Sequence, residues 1–173
     1  MRALADRLGI KAPSLYAHVQ GIDEVIDLAH ERINASIDTS VLDGSSELRD
    51  LRELGRRYRD AYRAHRVAAT LITARSINLD HALDVYEPVA AFLLRYGVTP
   101  EKVMPLMAML DNIVLGSAVE PFADGFIGPA RAYKSRHPAL AESLRSTNRR
   151  SIDDVGFDMG MDAFISTVRA CAC

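Results

Sequence analysis

Between positions 11 and 18 the chain sets Lys11, Ala12, Ser14, Tyr16, Ala17 and His18 close together. A cation, small residues, hydroxyls and an imidazole can approach base edges and phosphate oxygens of a nucleic acid. Ala5, Leu8, Ile10, Leu15 and Val19 are spaced to pack two short helices against each other, which turns the polar set outward. Two such helices joined by a tight, glycine-containing turn form a helix-turn-helix, whose second helix can lie in a DNA major groove. On spacing alone, two helices of any bundle with Tyr16 and His18 on the surface satisfy the same pattern.

Other reactive sets carry less. The arginines from Arg49 to Arg66 are interleaved with Asp50, Glu53 and Asp60, the pattern of a solvated helix face. Cys171 and Cys173 have no histidine near them in sequence and read as terminal free thiols, not a metal site. His30-Glu31 lacks the second histidine of a zinc-hydrolase helix. No nucleophile elbow, phosphate loop or dinucleotide fingerprint is present, so neither metal nor cofactor is expected. A helical-bundle enzyme using His65 or Asp111 remains the weaker alternative. The net charge of −2 gives no bulk attraction to nucleic acid, so such a contact must be made locally. No unbroken run of 18 apolar residues suggests a membrane span, and no signal peptide follows Met1-Arg2. A reducing cytoplasm is the simplest compartment.

The elements that must position these residues are helical throughout. The 3.6-residue period recurs in nearly every segment and sustained alternation is absent. Arg2–Leu8 reads as a short helix with Ala3, Leu4 and Leu8 inward, ended by Gly9. Ala12–Val19 reads as a second, with Pro13 in its first turn, and Asp23–Ile37 as a longer third. The turn 38–46 divides the chain into a unit of residues 1–42 and a larger body of 43–173. In the body Leu48, Leu51, Leu54, Tyr58, Tyr62 and His65 form one face of a long helix. Helices follow over Val67–Arg75 and Leu79–Tyr96, the latter with a possible kink at Pro88. Thr99-Pro100-Glu101 opens another, reaching to about Ala123 and apolar on nearly every side from Met104 to Val119. A long loop with short helical pieces spans Gly125–Arg150. Ile152–Ala170 closes the chain with the stripe Phe157, Met161, Phe164, Ile165 and Val168.

The string LADRLGIKAPSLYAHV resembles the second helix, turn and third helix of the tetracycline-repressor (TetR) family. Leu15-Tyr16-x-His18-Val19 is similar to the tetracycline repressors within it. The helix carrying Ile113-Val114-Leu115-Gly116 is similar to the family's penultimate, dimer-forming helix, and FDMGMDAFISTVRA resembles its last. The resemblance implies that Arg2 reads a base, that Ala12 and Pro13 lie near base edges, and that Tyr16 and His18 hydrogen-bond phosphates. It implies double-stranded DNA with a pseudo-palindromic operator as partner. Two positions depart from the family: Ile22 stands where a phosphate-contacting lysine is usual, and Met1 falls where the family's chain leaves a first helix that packs beneath the motif. On that expectation Leu4, Leu8 and Leu15 are partly exposed.

For the body, Met104–Val119 and Phe157–Val168 would make a four-helix bundle with a second subunit, using Ile113, Leu115, Gly116 and Val119 from the first helix and the closing stripe from the second. Gly116, Gly156 and Gly160 permit close approach. An intramolecular core explains the same stripes. The resemblance further implies an effector cavity, for which Tyr58, Tyr62, Tyr86, Phe92, Met104, Met107, Met109, Asp111 and Asn112 offer aromatic, flexible and polar surface. The histidine with which tetracycline repressors hold a drug-bound magnesium ion corresponds to Ile72, so an apolar or amphipathic small molecule is expected instead of tetracycline. A ligand-binding or protein-interaction module without DNA binding is the alternative reading.

Overall fold

The computed structural model describes residues 1–73, 80–119 and 121–172, including all of their side chains except those of 80–82. The helix boundaries expected at Arg75 and Leu79, and the thiol of Cys173, lie outside the described residues. The fold is all-α. Its helices are α1 (Arg2–Leu8), α2 (Ala12–Tyr16), α3 (Ile22–Asn34), α4 (Leu48–Ala64), α5 (Arg66–Thr73), α6 (Asp80–Arg95), α7 (Pro100–Val119), α8 (Ala130–Tyr133), α9 (Pro138–Ser146) and α10 (Ile152–Cys171). Extended pairing among the described residues is confined to one antiparallel bridge, Val98 with Ala172.

Local chemistry explains the first turn. Gly9 sits at φ 68°, a left-handed conformation that a side chain would strain, and its N–H returns to the Asp6 carbonyl. α1 is so short that only Ala5 is buried on it; Ala3 is exposed, Leu4 half-buried, and Leu8 and Ile10 are 58% and 42% exposed. The expected inward set of Ala3, Leu4 and Leu8 is thus corrected to Ala5, which with Leu15 and Val19 makes up the buried apolar residues of positions 1–20. α2 also stops early, at Tyr16: the N–H groups of His18 and Val19 both turn back to the Leu15 carbonyl.

The body is built around α4 and α7. On α4, Leu51, Leu54, Tyr58 and Tyr62 recur at three- and four-residue steps and are all buried, whereas His65 caps the helix and is exposed. α7 packs on α4, α5, α6 and α10. By length and composition it is apolar enough to cross a membrane, although a third of its most apolar window is already buried inside the chain. It ends at Val119 instead of near Ala123, and it is not covered on every side: Met104, Ala108, Asn112 and Gly116 form an exposed strip at four-residue spacing. At its start the Thr99 hydroxyl donates to the Glu101 carboxylate at 2.6 Å. α6 runs through Pro88 as one helix.

α10 lies antiparallel on α4 and turns its apolar stripe inward. Met161, Phe164 and Val168 are fully enclosed and Phe157 and Ile165 nearly so, in one cluster with Leu54, Leu110 and Val114. Each large aliphatic side chain so buried contributes roughly 1.5–3 kcal/mol. Gly55 of α4 makes the approach possible, since a Cβ there would sit 2.7 Å from Cε of Met161. Alongside this contact runs a ladder of ion pairs: Arg52 with Asp162, Arg56 with Asp158 at 3.0 Å, and both Arg59 and Arg63 with Asp154 at 2.9 and 2.8 Å. Of the arginines read as a solvated face, Arg52, Arg56, Arg59 and Arg63 therefore have partners on another helix. Arg59 also lies over the Phe157 ring, 4.6 Å from its centroid. Between α7 and α10, α8 and α9 pack on each other, and Arg149 holds the approach to them through the carbonyls of Phe126 and Gly128.

Candidate nucleic-acid interface and effector site

The residues expected from spacing and from the resemblance to contact DNA lie mostly at the surface. Arg2, Lys11, Pro13, Ser14, Tyr16, Ala17 and His18 are exposed and Ala12 is half-buried. Lys11 stands in extended conformation at the cap of α2, and the Ser14 N–H closes onto its carbonyl at 2.9 Å. Between Asp6 and Asp23 the chain carries Arg7, Lys11 and His18 but no carboxylate. The surface offered by α2 is therefore locally cationic although the whole chain is not, which is what an approach to phosphates requires.

α3 joins this unit to the body, packing on α4, α5 and α6. Its inner side carries His30 and Asn34, one turn apart. The Tyr62 phenol donates to Oδ1 of Asn34 at 2.8 Å and lies 3.1 Å from Nε2 of His30. Since that phenol gives its proton to Asn34, the imidazole is the donor to it. Nδ2 of Asn34 is buried and has no hydrogen-bond partner.

One turn back along α4, Tyr58 stacks edge-on against Tyr62, ring centroids 5.3 Å apart. Its hydroxyl donates to Oδ1 of Asp111 on α7 at 3.1 Å, and Tyr86 of α6 donates to Oδ2 at 2.5 Å. Burial pushes the Asp111 carboxyl above the ordinary carboxylate range, against the pull of the Tyr86 and Tyr58 hydrogen bonds. Burial and the neighbouring Asp111 charge likewise hold the Tyr58, Tyr62 and Tyr86 phenols well above their ordinary value, so all three remain proton donors. Four helices thus converge on a polar cluster inside an apolar body.

Of the residues expected to line an effector cavity, the fold brings Tyr58, Tyr62, Tyr86 and Asp111 together. Phe92 is fully enclosed and stacked on Tyr96, centroids 6.2 Å apart, and Met107 is buried in the same core. Met104 and Asn112 do not join the cluster. Met104 lies two turns before Asp111 and is 66% exposed, while Asn112 is a third of a turn round the helix and points outward. His30 and Asn34 were missed; their signal was two polar residues at i and i+4 on an otherwise amphipathic helix.

The residues expected at a partner subunit divide in two. Phe157, Met161, Phe164, Ile165 and Val168 pack within this chain, as above. Ile113, Leu115 and Val119 are half-buried and Gly116 is exposed. Gly116 opens onto a groove of about 430 Å³ between α7 and α10, lined also by Ile113, Phe122, Gly156, Phe157 and Gly160. Beside it, Val155 and Met159 of α10 are 52% and 67% exposed.

Residues 44–170 match the family model described as "Tetracyclin repressor-like, C-terminal domain". The chain is 35% identical over 117 residues to an HTH-type transcriptional regulator of Saccharopolyspora erythraea, covering 68% of this chain and 50% of the relative. It is 29% identical over 119 residues to the HTH-type transcriptional repressor DrrR1 of Streptomyces coeruleorubidus, covering 68% of this chain and 44% of that one. The chain thus matches about half the length of these relatives, and both are named as regulators. Among solved structures, the fold is similar to the TetR family protein ActR of Streptomyces coelicolor in complex with (S)-DNPA. The TM-score is 0.72 at 22% identity, over 99% of this chain and 87% of that one. Apo ActR gives a TM-score of 0.65 at 21% identity, over 97% and 87%.

Proposed function

The chain belongs to the tetracycline repressor-like (TetR) family, and from that membership we propose that it is a DNA-binding transcriptional regulator. In this reading it is a homodimeric repressor, released from a pseudo-palindromic operator by a small apolar or amphipathic effector. The observation that carries the DNA-binding part is the exposed display of Arg2, Lys11, Pro13, Ser14, Tyr16, Ala17 and His18, with no carboxylate in residues 7–22. Residues 1–42 dock on DNA, and residues 43–173 bind the effector and the second subunit.

Dimerisation is supported by the exposed strip of α7, the neighbouring Val155 and Met159, and the groove between the two helices. A two-fold pair of such units matches half-sites about 34–36 Å apart. For release, the effector must bind better to the form in which that spacing is wrong. α3 is the lever, because it carries the α1–α2 unit at one end and is bonded through Asn34 and His30 to Tyr62 of the body.

Titration of DNA flanking the chain's own gene at stepped salt tests the reading, with the chain alone and with any coding sequence that precedes it. Specific binding that weakens steeply as salt rises is expected. His18→Ala lowers affinity for all sequences alike, whereas Arg2→Ala costs about 1–3 kcal/mol at one base pair and relaxes discrimination there. A folded dimer without specific binding in either form would replace this reading with a ligand-binding or interaction module. A monomer by light scattering at micromolar concentration removes the dimer.

A further inference from the structure

We propose that the carboxylate of Asp111 anchors a cationic group, so that the effector is a protonated or quaternary amine borne on an apolar body. This rests on the effector reading above and narrows it to a class. Asp111 interrupts the apolar run of α7, and Tyr58 and Tyr86 give one hydroxyl to each of its oxygens. Those bonds satisfy its acceptors but leave its charge uncompensated. Among the described residues no arginine, lysine or histidine lies within ion-pair distance of it. A charge withdrawn from water without a counter-charge is costly, and an entering cation recovers that cost where water screens least.

The surroundings suit a cation in a second way. The aromatic residues beside the carboxylate are Tyr58, its edge-on neighbour Tyr62, and Tyr86, and phenol faces attract ammonium groups. Asp111 and Tyr86 are each only partly buried, so an incoming group can reach them. The same site repels an anion, and it offers a neutral head no more than a hydrogen bond.

Calorimetric titration of the whole chain at neutral pH with three probes of one shape decides the matter. The probes are 1-naphthylmethylammonium, 1-naphthalenemethanol and 1-naphthoate, which differ in charge on the same ring. The ammonium is expected to bind at least about tenfold tighter than the alcohol, the lower end of what an opposite charge does to a carboxylate equilibrium, and the naphthoate weakest. Asp111→Asn should level the series. If that variant fails to fold, Tyr86→Phe serves in its place: without the hydroxyl that favours the charged carboxylate, the preference for ammonium over alcohol at neutral pH should shrink. An alcohol or naphthoate that binds as tightly as the ammonium, or a preference that survives in Asp111→Asn, overturns the cation assignment and leaves an effector site standing. No binding of any probe up to millimolar concentration overturns the cation assignment and the effector site together. DNA is absent from this titration, so neither result bears on operator binding.

Discussion

The two long faces of α4 treat carboxylates in opposite ways. Toward α10, each acid of the ladder meets one or two guanidinium groups in partly open water, and the Arg59 and Arg63 hydrogen bonds hold the Asp154 carboxyl below its ordinary range. Toward α6 and α7, Asp111 among the described residues meets phenols and no cation, and burial holds its carboxyl above that range. The first face balances its charges from within the chain, although Nε and Nη2 of the buried Arg59 have no hydrogen-bond partner. The second has satisfied hydrogen bonds and an unsatisfied charge, which separates a structural seam from a place where a ligand can be recognised.

The largest test of this contrast concerns the seam, where packing rather than charge should carry the energy. Phe157→Ala removes the buried ring beneath Arg59 and is expected to cost about 3–5 kcal/mol in urea unfolding. A cost below that of losing a surface ion pair would reverse the assignment. Intermediate in size, and opposite in sign, are the pH responses of the two acids. Asp111, raised in the folded state from a reference of 3.8, contributes stability that is present below that reference and is lost as pH rises through its folded value. Asp111→Asn should therefore gain on wild type at about pH 7, with the gain shrinking toward about pH 4. Asp154, lowered in the folded state, contributes stability above the reference that is lost as pH falls through its folded value. Asp154→Asn should be weaker than wild type at neutral pH, and this deficit should persist through the range where the Asp111 difference fades. Parallel profiles for the two variants would erase the contrast. The smallest effect is expected of Arg56→Ala: its pair with Asp158 is half-exposed on both sides, and its loss should cost about 1 kcal/mol or less.

Much of this architecture was legible from spacing. The Leu51–Tyr62 stripe, the stop at Gly9, the start at Thr99-Pro100-Glu101 and the outward set around Tyr16 and His18 all depend on neighbours within a turn or two. Periodicity gives the phase of a stripe but not its counterpart, which is why Phe157–Val168 fitted a partner subunit and the chain's own core equally well. The same limit applies to the interior cluster. Tyr58, Tyr62, Tyr86 and Asp111 could be nominated by type, but Asn34 acquires its role only from Tyr62, 28 residues away. Met104 and Asn112 shared the type and not the location, because α7 keeps an uncovered strip in the single chain. The short α2 was hidden for a different reason: Ala17 and His18 are acceptable in a helix, and the turn onto the Leu15 carbonyl leaves no local sign.

The ladder along α4 and α10 repeats almost every turn, and repetition makes it a poor ruler. Were α10 to slide by one turn, Arg56 would find Asp162, and Arg59 and Arg63 would find Asp158, leaving only Arg52 opposite Ser166. Charge alone would thus tolerate the wrong alignment at little loss. Gly55 meets the tip of Met161, and an α10 displaced by one turn would bring the β-branched side chain of Ile165 or the bulkier ring of Phe157 to that notch instead. The non-repeating fit of one thioether against one glycine tells the two helices where to stop.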